Sequence, residues 1–221
     1  MTSKRKRANQ CQKPAGLLGR FVLWNMNSRH GKVTDWGLSH VSIDKLATVL
    51  DVGCGGGKTI TKLAGMASKG KVYGVDHSPD AVNMATKVNK ELIASGRVEV
   101  QEGSVSHLPF PDDMFDVITA IETHFWWPDL PGGMRELLRV LKPGGMLVII
   151  AEVYKGANTP TAKMAEMYAA LSGMAMLSSD EHRQLFIDAG YTNIEIVAEA
   201  TKAWICCTGR KKAACVDAAL G

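Results

Sequence analysis

The sequence predicts an α/β fold of three layers: a mostly parallel seven-stranded sheet between helices, with an antiparallel last strand. Three observations carry this. From residue 47 onward, short apolar runs alternate with longer segments of helical periodicity, the pattern of a parallel sheet covered on both faces. The first apolar run passes straight into glycines, "ATVLDVGCGGGKT" (47–59), and open sheets of this kind bind ligands beside such a turn, at the carboxyl ends of the strands. The last two extended runs follow each other with no helix between them, which pairs them antiparallel.

The elements follow in order. "ATVLDVG" (47–53) is a buried strand, and "KTITKLAGMA" (58–67) places Ile60, Leu63, Ala64 and Ala67 at helical spacing. "KVYGVD" (71–76) is a second strand ending in an acid. "SPDAVNMATKVNKELIASG" (78–96) reads as one helix, with Ser78 as N-cap, Pro79 at the first helical position and Gly96 as the stop. "RVEVQEG" (97–103) and "FDVITAIE" (115–122) are the third and fourth strands. "LPGGMRELLRVLKPGG" (130–145) carries a helix ending before Pro143, and "MLVIIAEVY" (146–154) is the fifth strand. "SSDEHRQLFIDAGY" (178–191) is a capped helix, and "TNIEIVAEA" with "KAWICCTG" forms the closing pair. Outside this core, residues 1–12 read as a disordered basic tail and 13–46 as a helical cap or lid. The domain proper runs over 47–221. Within it, 155–177 is an insertion with Met164, Met167, Tyr168 and Leu171 on one helical face.

Composition narrows the function classes. A chain of 221 residues holds one such domain and not two. No stretch reaches the roughly 18 to 20 apolar residues that cross a bilayer, and "MTSKRKRANQCQKP" lacks an apolar signal core. Five cysteines (Cys11, Cys54, Cys206, Cys207, Cys215) lack metal-ligand spacing. Free thiols, a cytoplasmic location and no metal are therefore expected. Residues 1–34 hold eight basic and no acidic side chains, against a total of +4; such a head can attract an acidic partner.

The register of the glycines decides what the loop can hold. A phosphate-binding P-loop needs a glycine five positions before Gly57, and that position is Val52, inside the strand. The dinucleotide fingerprint needs a third glycine at 58, which is Lys. What fits is D-x-G-x-G-x-G over Asp51, Gly53, Gly55 and Gly57. Further segments arrive in order: "YGVDHS" with Asp76 19 residues after Gly57, "EGSVSHLPF" (102–110), "FDVITAIET" and "LRVLKPGG" (138–145).

Together these resemble the class I S-adenosylmethionine-dependent methyltransferases, in particular their small-molecule, type 11, ubiquinone–menaquinone-like members. The resemblance covers about residues 45–152 and implies a Rossmann-like fold with S-adenosylmethionine as cofactor and S-adenosylhomocysteine as product. It places Asp51, Gly53, Cys54, Gly55, Asp76, His77, Ser104, Val105 and Ile121 around the cofactor, with Asp51 serving the methionyl amino group and Asp76 the ribose hydroxyls. Ser104 stands where the family has Asp.

Methyl transfer needs a nucleophile held about 3 to 3.5 Å from the methyl, on axis with sulfur. A general base is needed when the acceptor is protonated. The segment after the fourth strand, "IETHFWWPDL", lacks the [DNS]-P-P-[YFW] motif of base methylation, so nucleic acid is not the expected substrate. Glu122, His124 and His30 are the candidate catalytic groups. Trp36, Phe125, Trp126, Trp127, Tyr154 and Met167 are the candidate substrate contacts, since aromatic faces attract cations and stack on flat acceptors. The expected activity is methylation of a small molecule, with a homodimer left open. Two alternatives stand beside it: an RNA or protein methyltransferase docking through the basic head, and a non-catalytic cofactor-binding partner subunit.

Overall fold

The computed structural model describes residues 30–214. The basic tail, the first part of the cap, Cys11 and Cys215 lie outside them. The described part of the cap contains one helix, α1 (Gly31–Leu38), and a loop leading to the first strand. The core then runs β1 (Thr48–Val52), α2 (Lys58–Met66), β2 (Lys71–Asp76), α3 (Pro79–Val88), α4 (Lys90–Ala94), β3 (Val98–Glu102) and β4 (Phe115–Ile121). It continues with α5 (Leu130–Val140), β5 (Leu141–Ala151), α6 (Pro160–Ser172), α7 (Ser179–Asp188), β6 (Thr192–Glu199) and β7 (Trp204–Arg210).

These strands form one seven-stranded sheet in the order β3-β2-β1-β4-β5-β7-β6. β1 to β5 pair in parallel, and β7 runs antiparallel to both β5 and β6. β1 therefore has β2 on one side and β4 on the other. This is the topological switch point, where a crevice opens at the strand ends.

The strands are apolar on both faces, as a doubly covered sheet requires. Leu50, Ile118, Ala120, Leu147 and Ile149 face α5 and α7, where Met134, Leu137 and Phe186 close the core. Val49, Val117, Val148 and Ile150 alternate with them and face the other way, onto Ile60 and Leu63 of α2 and Val33 of α1. Gly37 lets α1 lie against the sheet: a methyl there would overlap the side chain of Ile150.

Several boundaries differ from the sequence reading. The helix expected over 78–96 breaks at Asn89, whose backbone leaves the helical region (φ −104°, ψ 19°) while its buried side chain donates to the carbonyls of Gly57 and Ala85. The fifth strand starts at Leu141 rather than 146. The chain turns from α5 directly into the sheet, and "KPGG" sits at an irregular stretch of register beside Phe115–Val117. There the Lys211 backbone pairs with Gly144 and Gly145. β4 and β5 also stop earlier than expected, at Ile121 and Ala151.

Gly37→Ala should lower stability by about 1–3 kcal/mol, since Ile150 is walled in and α1 must back away from the sheet. Thermal unfolding of the variant against the parent measures this; an unchanged midpoint would mean that α1 is not packed on β5.

Candidate functional site

The site is built on the turn after β1. Gly53, Gly55 and Gly57 all take positive φ (71°, 52° and 81°), a region costly for residues with a Cβ. Gly53 is also crowded: a Cβ there would overlap the side chain of Thr123, the second residue past β4. Two backbone donors, Gly53 N–H (2.7 Å) and Cys54 N–H (3.1 Å), tie the turn to the Val75 carbonyl of β2. Asn89 holds its far end through Gly57, and Thr61 donates to Asn89 Oδ1 at 2.8 Å. The loop is thus clamped by the strand on one side and the α3–α4 break on the other.

Two carboxylates lie at this turn. Asp51, 2% exposed, accepts a 2.6 Å hydrogen bond from Thr119, its register partner on β4. Burial pushes its carboxyl up to about 7; the Thr119 bond opposes that rise, and the charge of Asp76 adds to it. Asp76 accepts from Gly55 N–H and Ser78 N–H, both at 2.9 Å, with His77 Nδ1 at 3.6 Å. Each carboxylate oxygen keeps acceptor capacity for a further donor. Among the described residues, no lysine or arginine pairs with either acid. Cys54 lies between them, buried, its thiol held well above the ordinary value by desolvation and by these two charges.

A second cluster caps β4 and β5. Glu122 takes φ +59° immediately after β4, and its Oε1 accepts from the backbone N–H of Glu152, the residue after β5. Its Oε2 faces His30 Nδ1 at 3.2 Å, and Glu152 Oε2 lies 3.8 Å from the same nitrogen. His30 enters from the residue preceding α1.

The remaining candidates are spread around these two clusters. His124 is 2% exposed and turned from the Glu122 cluster toward His182, with the two Nε2 atoms 3.1 Å apart. His182 Nδ1 lies 2.8 Å from the Ser178 carbonyl, which can only accept, so that nitrogen carries the proton and Nε2 accepts from His124. Burial lowers the basicity of both rings, so His124 is placed as a neutral, packed side chain. Trp127 is buried across Gly133 and Val105, and Trp126 meets Tyr168 edge-on. Phe125 is in the core with them. Ile121 is partly buried against the opposite core face. Trp36 packs on Trp204 and His40, and Tyr154 is partly buried over the loop into α6. Met167 is 70% exposed on α6. Ser104 forms a one-residue bridge with His107. The sequence reading missed Thr119, Thr123, Asn89, Glu152 and His182. Glu152 had a signal: like Asp76 and Glu122, it is the first acid after an apolar strand.

A family model described as "Methyltransferase domain" matches residues 50–149. "Methyltransferase GfsG" of Streptomyces halstedii is 35% identical over 158 residues, covering 70% of this chain and 56% of GfsG. A demethylmenaquinone methyltransferase of Bacillus licheniformis is 32% identical over 123 residues, covering 55% of this chain and 52% of that protein. The chain thus spans about half the length of these relatives. In structure it is similar to a SAM-dependent methyltransferase from Aquifex aeolicus, with a TM-score of 0.67 and 23% identity over 86% of this chain and 96% of that one.

The raised Asp51 carboxyl has a cost in stability. Its folded value of about 7 lies well above the ordinary carboxylate value of 3.8, so the folded chain binds this proton more tightly, and stability falls as pH rises from about 4 to 7. Asp51→Asn should therefore raise the unfolding midpoint at pH 8 and change it little near pH 4. Equal shifts at both pH values would show that burial does not strain this group.

Proposed function

This chain belongs to the class I S-adenosylmethionine-dependent methyltransferases, and we propose that it transfers the methyl of S-adenosylmethionine to a small-molecule acceptor. The observation that carries the reading is the pairing of two nearly buried acids with a left-handed glycine turn at the switch point. Asp51 suits the methionyl ammonium: a buried carboxylate without a lysine or arginine partner gains most from a cation. Asp76 suits the ribose diol, since its two oxygens can accept two hydroxyls while keeping the amides of Gly55 and Ser78. The bare backbone of Gly53 and Gly55 lets the ligand approach closely. His77, Ser104 and Val105 extend the same crevice toward the adenine end, with Cys54 and Ile121 as its apolar lining.

S-adenosylmethionine supplies a methyl on a positively charged sulfur; the chain supplies position and exclusion of water. We assign the acceptor to the mouth of β4 and β5, next to Thr123, which touches the glycine turn. Glu122 and His30 there can orient an acceptor hydroxyl or amine and take its proton. Trp36, Phe125, Trp126, Trp127, Tyr154 and the apolar face of α6 around Met167 would form the walls. His124, held in its pair with His182, would support the 124–126 turn rather than touch the acceptor. Support for a small acceptor comes from the missing base-methylation motif and from the named activities of relatives such as the demethylmenaquinone methyltransferase.

Asp76→Ala and Gly55→Val should each abolish S-adenosylmethionine binding measured by calorimetry: the first removes the diol acceptor and the loop clamp, the second blocks the left-handed position. Undiminished affinity in both overturns the cofactor assignment. Parent affinity should also fall as pH drops below about 7. An ammonium favours the ionised Asp51, so its proton must leave on binding, at up to about tenfold per pH unit. A flat profile between pH 5.5 and 8 would remove Asp51 from the amino-group site.

A further inference from the structure

We propose that His30, Glu122 and Glu152 form a binding site for one divalent transition-metal ion at the mouth of β4 and β5. The proposal rests on the acceptor position assigned above, and it extends beyond it.

Three ligating groups from three remote segments meet here. His30 precedes α1, while Glu122 and Glu152 follow β4 and β5. One ligand atom from each, an imidazole nitrogen and two carboxylate oxygens, lies within 4.8 Å of the others. The closer pairs are at 3.2 and 3.8 Å. Ligands bound at about 2.0–2.2 Å to a single ion stand roughly 3 to 3.6 Å apart, so the cluster needs only a small inward movement of Glu152, the most exposed of the three.

Orientation and charge point the same way. The Glu152 backbone N–H ties down Glu122 Oε1, which leaves Oε2 presented to the cluster. Two carboxylates that are mostly shielded from water, with side-chain exposures of 10% and 30%, stand together. Among the described residues neither pairs with a lysine or arginine. His30 supplies a positive charge only when protonated, and a protonated ring cannot ligate through that nitrogen. A dication satisfies both acids while the imidazole stays neutral.

One imidazole with two carboxylates suits Mn²⁺ or Zn²⁺ better than Mg²⁺, which favours oxygen and retained water. Three protein ligands leave coordination positions open. Thr123 connects Glu122 to the glycine turn, so the open side lies next to the acceptor position. The ion would there anchor an acceptor hydroxyl and lower its proton affinity, so that with metal bound the proton leaves to solvent rather than to the ligating His30 and Glu122, and the class of acceptor is a hydroxyl compound.

The test is titration of the full-length, metal-stripped protein with Mn²⁺ alone, followed by electron paramagnetic resonance and calorimetry. One Mn²⁺ per chain is expected without cofactor or acceptor. Glu122→Gln and Glu152→Gln should each weaken it at least as much as losing an outer-shell partner does, about 10- to 100-fold, with circular dichroism confirming that each variant folds. Failure of the parent protein to bind Mn²⁺ or Zn²⁺ saturably overturns the proposal without needing any variant. So does binding that both substitutions leave intact. A protein that takes S-adenosylmethionine but no metal refutes this inference alone; one that takes neither refutes the cofactor reading as well.

Discussion

The constraint at the switch point is a carboxyl, Asp51, held buried near the carboxyl end of β1. A carboxylate in that position is unfavourable by itself: desolvation raises its proton affinity, and Asp76 nearby raises it further. The sheet tolerates it because β1 and β4 bring Thr119 directly opposite, where its hydroxyl supplies one short hydrogen bond. The strands around it are continuous hydrophobic runs, and these hold the acid in place at the expense of its hydration.

The glycine turn that follows Asp51 is held by contacts of its own. Asp76 reaches back from β2 to hold Gly55, while Val75 holds Gly53 and Cys54. Asn89 holds the other end through Gly57. The three attachments come from the strand after the turn and from the break between α3 and α4, so the loop is arranged by elements that follow it in sequence. The break at Asn89, which interrupts an otherwise regular helix, places the amide side chain against the turn and satisfies the Gly57 carbonyl.

This explains what was legible in the sequence. The mostly parallel sheet follows from apolar runs alternating with helical periodicity, and the family from the resemblance carried by four residues within seven positions. Both signals are local. Asn89 was not legible, because Asn within a helical pattern reads as a weak helix former; its reason for leaving the helix lies 32 residues away, at Gly57. The start of β5 was missed because Pro143 and two glycines look like a loop. An irregular pairing accommodates them, with Lys211 closing the edge. His124 reads as a candidate base because it lies in the segment that follows the fourth strand. Its actual partner, His182, lies 58 residues further on.

The second acidic cluster follows from the same geometry of parallel strands. Asp76, Glu122 and Glu152 each stand at or just past the end of a strand, and parallel strands end on one edge of the sheet. Acids at these places therefore share that edge however far apart they lie in the chain. With Asp51 they divide into two groups with different surroundings: Asp76 beside the Gly55 and Ser78 amides and Asp51 beside the Thr119 hydroxyl, Glu122 and Glu152 beside an imidazole. The first pair suits a ligand that brings both a cation and hydroxyl donors, whereas an imidazole with two carboxylates suits a metal ion. Thr123, next to Glu122 in the chain and against Gly53 of the glycine turn, sets the two groups beside each other, which is the arrangement the proposed transfer between a bound donor and an acceptor needs.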